Sequence, residues 1–329
     1  MLVYAILGFV VQPEQHYTSD FYGAWSAGRL LGPDLYNADA ARALQRSIYP
    51  KVDPKINVRP PIFAILLWPL ARLSFPVGYV FWQLLNISAA LLFVWTWRFE
   101  PAAYAVAACF LPLDWSFGLG QDSACMLLIA GAGARWIERK RPLAGGAMLS
   151  LCAIKPHLFA FVPVLLLAQK RYRALAGLLI GGIALYLVSA IPMGLAWPIA
   201  FLHGATQGEA AITPNLVGTS GLLDRLHAPI WAAGIVTAAG AVIVFLATRG
   251  KSWMVSMGFA LATGVALAPR AMVYDSSLFL PLLLLQVVPT VAIAIGAVLL
   301  MIVTRVSLVS QLAALAVLWI ARPRDQART

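Results

Sequence analysis

The sequence predicts an all-α, polytopic membrane protein built as a helical bundle, and three observations carry that expectation. Of 329 residues 61% are hydrophobic and only 11% charged, whereas soluble domains carry about 25% charged residues. Apolar runs at or near membrane-spanning length follow one another, over 61–75, 77–97, 101–117, 121–136, 143–154, 157–169, 174–194, 228–247 and 253–268. No polar stretch between them is long enough to fold separately, so one transmembrane domain is expected over 1–329.

The elements follow in order. Residues 1–11 are apolar but would reach only about 16 Å as a helix, short of a hydrocarbon core of about 30 Å. They lack the basic leader and small-residue cleavage site of a signal peptide, which predicts a first membrane helix whose beginning is truncated. The first loop, 12–76, contains the one sizeable hydrophilic segment. Within it Tyr22, Trp25, Ala27 and Leu30 recur with Arg29 at helical spacing, Gly32-Pro33 breaks the run, and a helical pattern resumes over 38–48. Two short amphipathic helices lying on the membrane surface are predicted. Beyond 275, the break at Pro289 and the basic tail of Arg322, Arg324 and Arg328 suggest three short spans ending in the cytoplasm.

Charge fixes the orientation. The net charge of +11 would suggest nucleic acid in a soluble protein; in a membrane protein it points to cytoplasmic loops beside anionic lipid, and no nucleic-acid partner is expected. Ten basic residues crowd into four short turns around Arg98, Arg135 to Arg141, Lys170 to Arg173, and Arg249 to Lys251. If every run crossed the bilayer and the first loop were external, these turns would lie on the wrong side. One run must not cross. The segment PPIFAILLWPLARLSFP is short, contains Pro69 and Arg72, and is bounded by prolines. As a helix embedded in the outer face it restores the parity. Cys109, Cys125 and Cys152 all lie in apolar runs, so no disulfide framework is expected.

That topology gathers polar groups from distant positions at the external face: Asp20, Arg59, the Gly120-Gln121-Asp122 turn, Lys155-Pro156-His157, Pro214-Asn215, and the stretch from Arg270 to Asp275. Lys155 sits where two short helices meet, below the interface, where an unpaired ammonium is costly. Three readings of Lys155 and Arg270 stand side by side: snorkelling to headgroups, structural ion pairs with Asp122 or Asp275, or contacts to the phosphate of a lipid-linked substrate. Asp20 closely follows the first helix among Phe21, Tyr22 and Trp25. A partly desolvated carboxylate there can act as general base towards a hydroxyl.

The ordered set Asp20-Phe21-Tyr22, GPDLY at 32–36, Pro60-Pro61 before an apolar helix, Gly120-Gln121, Lys155-Pro156, Pro214-Asn215 and Tyr274-Asp275 resembles glycosyltransferase family 87, among the GT-C membrane glycosyltransferases. The resemblance runs from Ser19 to about Leu285. It implies a GT-C-like bundle with juxtamembrane helices in the first extracytoplasmic loop, an active site at the extracytoplasmic face of a bacterial inner membrane, and a polyprenyl monophosphate sugar, mannose foremost, as donor. Transfer to a hydroxyl of a lipid or glycan acceptor would proceed by single displacement with inversion. By the same analogy Asp20 is the base. Three positions depart from the pattern: Arg59 replaces an aromatic residue, Ser123 an asparagine, and Arg270 a histidine.

For such a reaction the protein must align acceptor and anomeric carbon, remove a proton and stabilise the departing phosphate. Lys155 and Arg270 are expected at the phosphate, with Arg59 and His157 as further candidates; Tyr22, Trp25, Gln121, Asn215, Tyr274 and Asp275 are expected around sugar or acceptor. No cofactor is expected. The four histidines are scattered and no metal-binding pair is evident. The competing expectation is a transporter or flippase for a lipid-linked sugar or small anion, which would use the same charged cavity without chemistry; the sequence shows no internal repeat to favour it.

Overall fold

The structure is a computed structural model that describes residues 19–208, 229, 231–268 and 271–285, apart from the side chains of residues 102 and 205–208. The apolar run 1–11, Asn215, Arg270 and the chain beyond 285 lie outside the described residues. Among the described residues every regular element is helical. The described part of the chain is an all-α bundle.

The first loop folds as its punctuation requires. Helix α1 (Asp20–Arg29) ends before Gly32-Pro33, and α2 (Ala38–Ile48) begins where Asn37 Oδ1 accepts from the backbone N–H groups of Asp39 and Ala40 at 3.0 and 3.1 Å. Only α2 is amphipathic in the expected way, burying Ala41 and Gln45 while Arg42 and Arg46 are exposed. Helix α1 is not a surface helix: Phe21, Tyr22, Gly23, Trp25, Ser26, Ala27 and Gly28 are all buried. It is packed between α3 (Pro61–Ala71) and the start of α4 (Phe75–Trp97), with Phe75 edge-on to Tyr22 at 4.7 Å and to Trp25 at 5.7 Å. Its last-turn Arg29 donates from Nε to the carbonyl of Ala71 at 2.8 Å, satisfying the C-terminal end of α3. At 11 residues, α3 spans about 16 Å and is too short to cross a bilayer.

Three described helices are long and apolar enough to span: α4, Tyr172–Met193 and Trp231–Thr248. The run 101–117 is broken into α5 (Ala102–Ala108) and α6 (Leu111–Gly118), because Pro112 cannot extend a preceding helix. Then come α7 (Ser123–Glu138) and α8 (Pro142–Ser150), and two 3₁₀ turns, Leu151–Ile154 and Pro156–Phe159, on either side of Lys155. Helices α9 (Phe161–Ala168) and α10 (Tyr172–Met193) follow. Between the apolar runs 174–194 and 228–247 a further helix, α11 (Trp197–Gly208), forms; Trp197 donates to the carbonyl of Tyr186 at 3.2 Å, and Phe201 meets Tyr36 at 6.2 Å between ring centres. The described chain closes with α12 (Trp231–Thr248), α13 (Trp253–Leu267), a 3₁₀ turn over Val273–Phe279, and α14 (Leu280–Leu285).

Helices α4, α10 and α12 leave large apolar side chains exposed, Leu84, Leu91, Ile183, Ile191, Ile235 and Leu246 among them. Exposure on this scale suits a lipid environment. Helix α13 is buried almost throughout and forms the centre of the core against α9, α12 and the 3₁₀ turns.

Candidate functional site

The turn between α6 and α7 is the hub. Asp20, at the first position of α1, is tied to it by its backbone N–H, which donates to the carbonyl of Leu119 at 2.9 Å. Gly120 has φ +67°, and a Cβ there would lie 2.7 Å from Phe21 Cβ, so both backbone conformation and close approach call for glycine. Trp82 of α4 fixes the Gly120 carbonyl with an indole N–H at 2.8 Å. The next two side chains, Gln121 and Asp122, are then held inside the protein, 4% and 1% exposed.

Asp122 occupies the N-cap of α7 without capping it. Its carboxylate is committed elsewhere: Oδ2 accepts from the Arg59 guanidinium, and Oδ1 lies 3.1 Å from Lys155 Nζ. Burial works against its charge, but Arg59 and Lys155 outweigh burial and hold the carboxyl well below the usual carboxylate range. Gln121 links the two halves of the site. Its Oε1 accepts from Arg59 at 2.6 Å and from Lys155 at 3.4 Å, while its Nε2 donates to Asp20 Oδ2 at 2.6 Å.

Arg59 is aimed by its own backbone. Asn57 brackets it, donating to the Arg59 carbonyl at 3.1 Å and accepting from its N–H at 3.2 Å, and Tyr36 donates to the same carbonyl at 2.9 Å. Its guanidinium also covers the Phe63 ring at 4.3 Å. Lys155 is presented between the two 3₁₀ turns, kept out of helical conformation ahead of Pro156 with φ −127° and ψ 69°. Its ammonium donates to Asp275 Oδ1 at 2.7 Å and sits 5.1 Å from the centre of the Tyr274 ring. Asp275 Oδ2 accepts from the N–H of Met272 at 2.9 Å. Burial first, and then the charges of Asp275 and Asp20, push the Tyr274 phenol well above its usual range.

The structure thus brings Asp20, Arg59, Gln121, Lys155, Tyr274 and Asp275 into one connected cluster with Asp122. Of the three readings open for Lys155, ion pairing with both Asp122 and Asp275 is the arrangement observed. His157 lies one residue beyond the Lys155-Pro156 step and is half-buried. Tyr22 and Trp25 do not join the cluster: both are packed into the core, and the Tyr22 hydroxyl donates to the Gln45 carbonyl at 2.7 Å. Their aromatic bulk serves the contact of α1 with Phe75 instead of a sugar-lining surface.

Sequence reasoning missed Lys55, Gln45 and Asp122's central position. Lys55 Nζ donates to Asp20 Oδ1 at 2.5 Å, and this pair is the solvent-facing part of the cluster, with side chains 35% and 28% exposed. The fully buried Gln45 positions it, its Oε1 accepting from the Lys55 N–H at 2.9 Å and its Nε2 donating to the Lys55 carbonyl at 2.7 Å. Asp53 to Lys55 carry no periodic pattern, so no sequence signal singled them out; Gln45, four residues after Ala41 on the buried face of α2, was the available clue.

Three cations, Lys55, Arg59 and Lys155, and three carboxylates, Asp20, Asp122 and Asp275, make the described cluster formally neutral. Among the described residues no group of three or more His, Cys, Asp or Glu converges as metal ligands would. Beside Asp122 opens a cavity of about 710 Å³ between α3, α4 and α7, walled by apolar side chains such as Leu67, Leu70, Leu85, Met126 and Ile154.

The described bundle encloses a buried charge network with the half-exposed Asp20–Lys55 pair at its rim and an apolar cavity beside it. The model of glycosyltransferase family 87 matches residues 58–277, well over half of the chain, and the protein belongs to that family; it is a membrane glycosyltransferase. No curated protein matches the chain, and no solved structure does. Arg59, Gln121, Asp122, Lys155, Tyr274 and Asp275 fall inside the matched region, whereas Asp20 and Lys55 precede it and are joined to it through Gln121 and Asp20.

Proposed function

We propose that this glycosyltransferase moves a hexose, mannose foremost, from a polyprenyl-phosphate donor to an acceptor hydroxyl at the extracytoplasmic face, with inversion. The single observation that carries the reading is the half-open Asp20 carboxylate hydrogen-bonded through Gln121 to the buried Arg59–Asp122–Lys155–Asp275 network. A fixed network of this kind can hold one reactive carboxylate in place while its own charges stay paired.

In this scheme Asp20 takes the proton from the acceptor oxygen as that oxygen attacks the anomeric carbon and the C1–O bond to the phosphate breaks. The electron pair of that bond leaves with the phosphate. Lys55, the most accessible cation of the cluster, exchanges Asp20 for the donor phosphate; Arg59 and Lys155 add positive potential from behind, with Arg270 and His157 as further phosphate contacts. Tyr274, Asp275, Gln121 and Asn215 are the candidates around sugar or acceptor. The apolar cavity ending at Asp122 suits an isoprenoid tail.

The test is transfer in proteoliposomes from a labelled polyprenyl-phosphate hexose, with the anomeric configuration of the product determined. Transfer with inversion is expected. Sugar movement across the bilayer without a glycosylated product would favour a transporter and overturn the proposal.

A further inference from the structure

A second charged site lies at the other end of α7. Helix α7 has 16 residues, which separates Asp122 from the opposite end of the helix by about 24 Å, most of the thickness of a hydrocarbon core. There the C-terminal ends of α4 and α7 flank a cleft of about 490 Å³ lined by Arg98, Arg135 and Arg139 together with Trp95, Tyr104 and Trp136, and no carboxylate lines it.

The three arginines differ in what they are free to do. Arg135 is structural: Nε donates to the carbonyl of Thr96 and a terminal nitrogen to that of Trp97, both at 2.8 Å, and its remaining arm meets Glu138. It thereby closes the C-terminal end of α4. Arg98 and Arg139 are exposed and make no ion pair among the described residues. Arg98 also adopts φ 55°, a left-handed conformation that glycine would take more cheaply. Lys140 and Lys170 do the same, so three turns at this end carry a cation where glycine is the easier choice.

Above the cleft, the outward face of α4 exposes Val77, Val80, Leu91 and finally Trp95, the last at 67%. That apolar stripe leads along the helix to two uncommitted guanidinium groups, with an indole at the transition. Free phosphate would use only the cations; a phospholipid would use cations, indole and stripe together. We propose that this cleft binds the phosphate headgroup of an anionic phospholipid from the leaflet at the basic end of the protein, its acyl chains lying along the exposed face of α4.

Native mass spectrometry of the purified full chain in detergent, with equal phosphatidylglycerol and phosphatidylcholine, tests it. Wild type should retain phosphatidylglycerol preferentially, and the double substitution Arg98→Gln with Arg139→Gln should reduce that retention about tenfold. Lys140→Gln with Lys170→Gln removes equal charge from the same end but not from the cleft, and should leave retention at the wild-type level. Excess glycerol 3-phosphate should not displace the lipid. Absence of a phosphatidylglycerol preference in wild type, equal loss in both double variants, or displacement by glycerol 3-phosphate would each overturn the proposal.

Discussion

Replacing Lys155 by alanine removes one cation from between two buried carboxylates. Its Nζ lies 2.7 Å from Asp275 and 3.1 Å from Asp122, and the three side chains are 7%, 5% and 1% exposed. Asp122 would keep Arg59, but among the described residues Asp275 would keep the Met272 N–H as its donor, with no cation in hydrogen-bond contact. Removing one member of a buried pair costs about 3–5 kcal/mol, because the partner stays buried without its countercharge. A loss of ~4 kcal/mol lowers Tm by several degrees. Intrinsic tryptophan fluorescence during heating in detergent measures this. Adding Asp275→Asn to Lys155→Ala removes the stranded charge and should recover at least half of the loss. A single variant melting with wild type, or a double variant less stable than the single one, would refute the idea that Lys155 is held by these two acids.

Three further outcomes follow from the same geometry. Gly120→Ala forces a Cβ to within 2.7 Å of Phe21 Cβ at φ +67° and should destabilise by about 2 kcal/mol or more, detected as a lower melting temperature with loss of transfer. Lys55→Ala, at a half-exposed pair, should change stability by no more than about 1 kcal/mol, whereas Gln45→Leu, which strips the buried clamp on Lys55, should cost about 2–4 kcal/mol; denaturation of the two variants distinguishes them. Asp122 has its proton affinity lowered in the folded state, so its stabilising contribution is complete above the unfolded value of about 4 and fades as pH falls towards the folded value. Wild-type stability should decline below about pH 4, and the decline should be shallower in Asp122→Asn.

Much of this arrangement was legible in the chain because its punctuation is local. Gly32-Pro33 and Asn37 mark the end of one helix and the start of the next, and Pro60-Pro61 starts a helix too short to cross. Counting basic turns led to the expectation that Asp20, Gln121, Lys155 and Asp275 converge, and these side chains do meet in one cluster. Burial of α1 was not legible: its aromatic residues look alike whether they face headgroups or Phe75, and only tertiary packing decides. The break at Cys109-Phe110 was marked by Pro112, but continuous hydrophobicity concealed it. Lys55 escaped because its role depends on a buried glutamine ten residues away and on the missing side chain of Gly23, which lets the Lys55 backbone pass with Cβ 2.8 Å from where a Cβ would stand.

The most direct measurement compares wild type and Asp20→Asn in two separate assays, retention of polyprenyl-phosphate hexose and its transfer to acceptor. Asparagine keeps an oxygen to accept from Gln121 or Lys55 but cannot take up the acceptor's proton. The variant should retain donor like wild type and yield no glycosylated product. Transfer by Asp20→Asn at the wild-type rate would contradict the role of Asp20 as base.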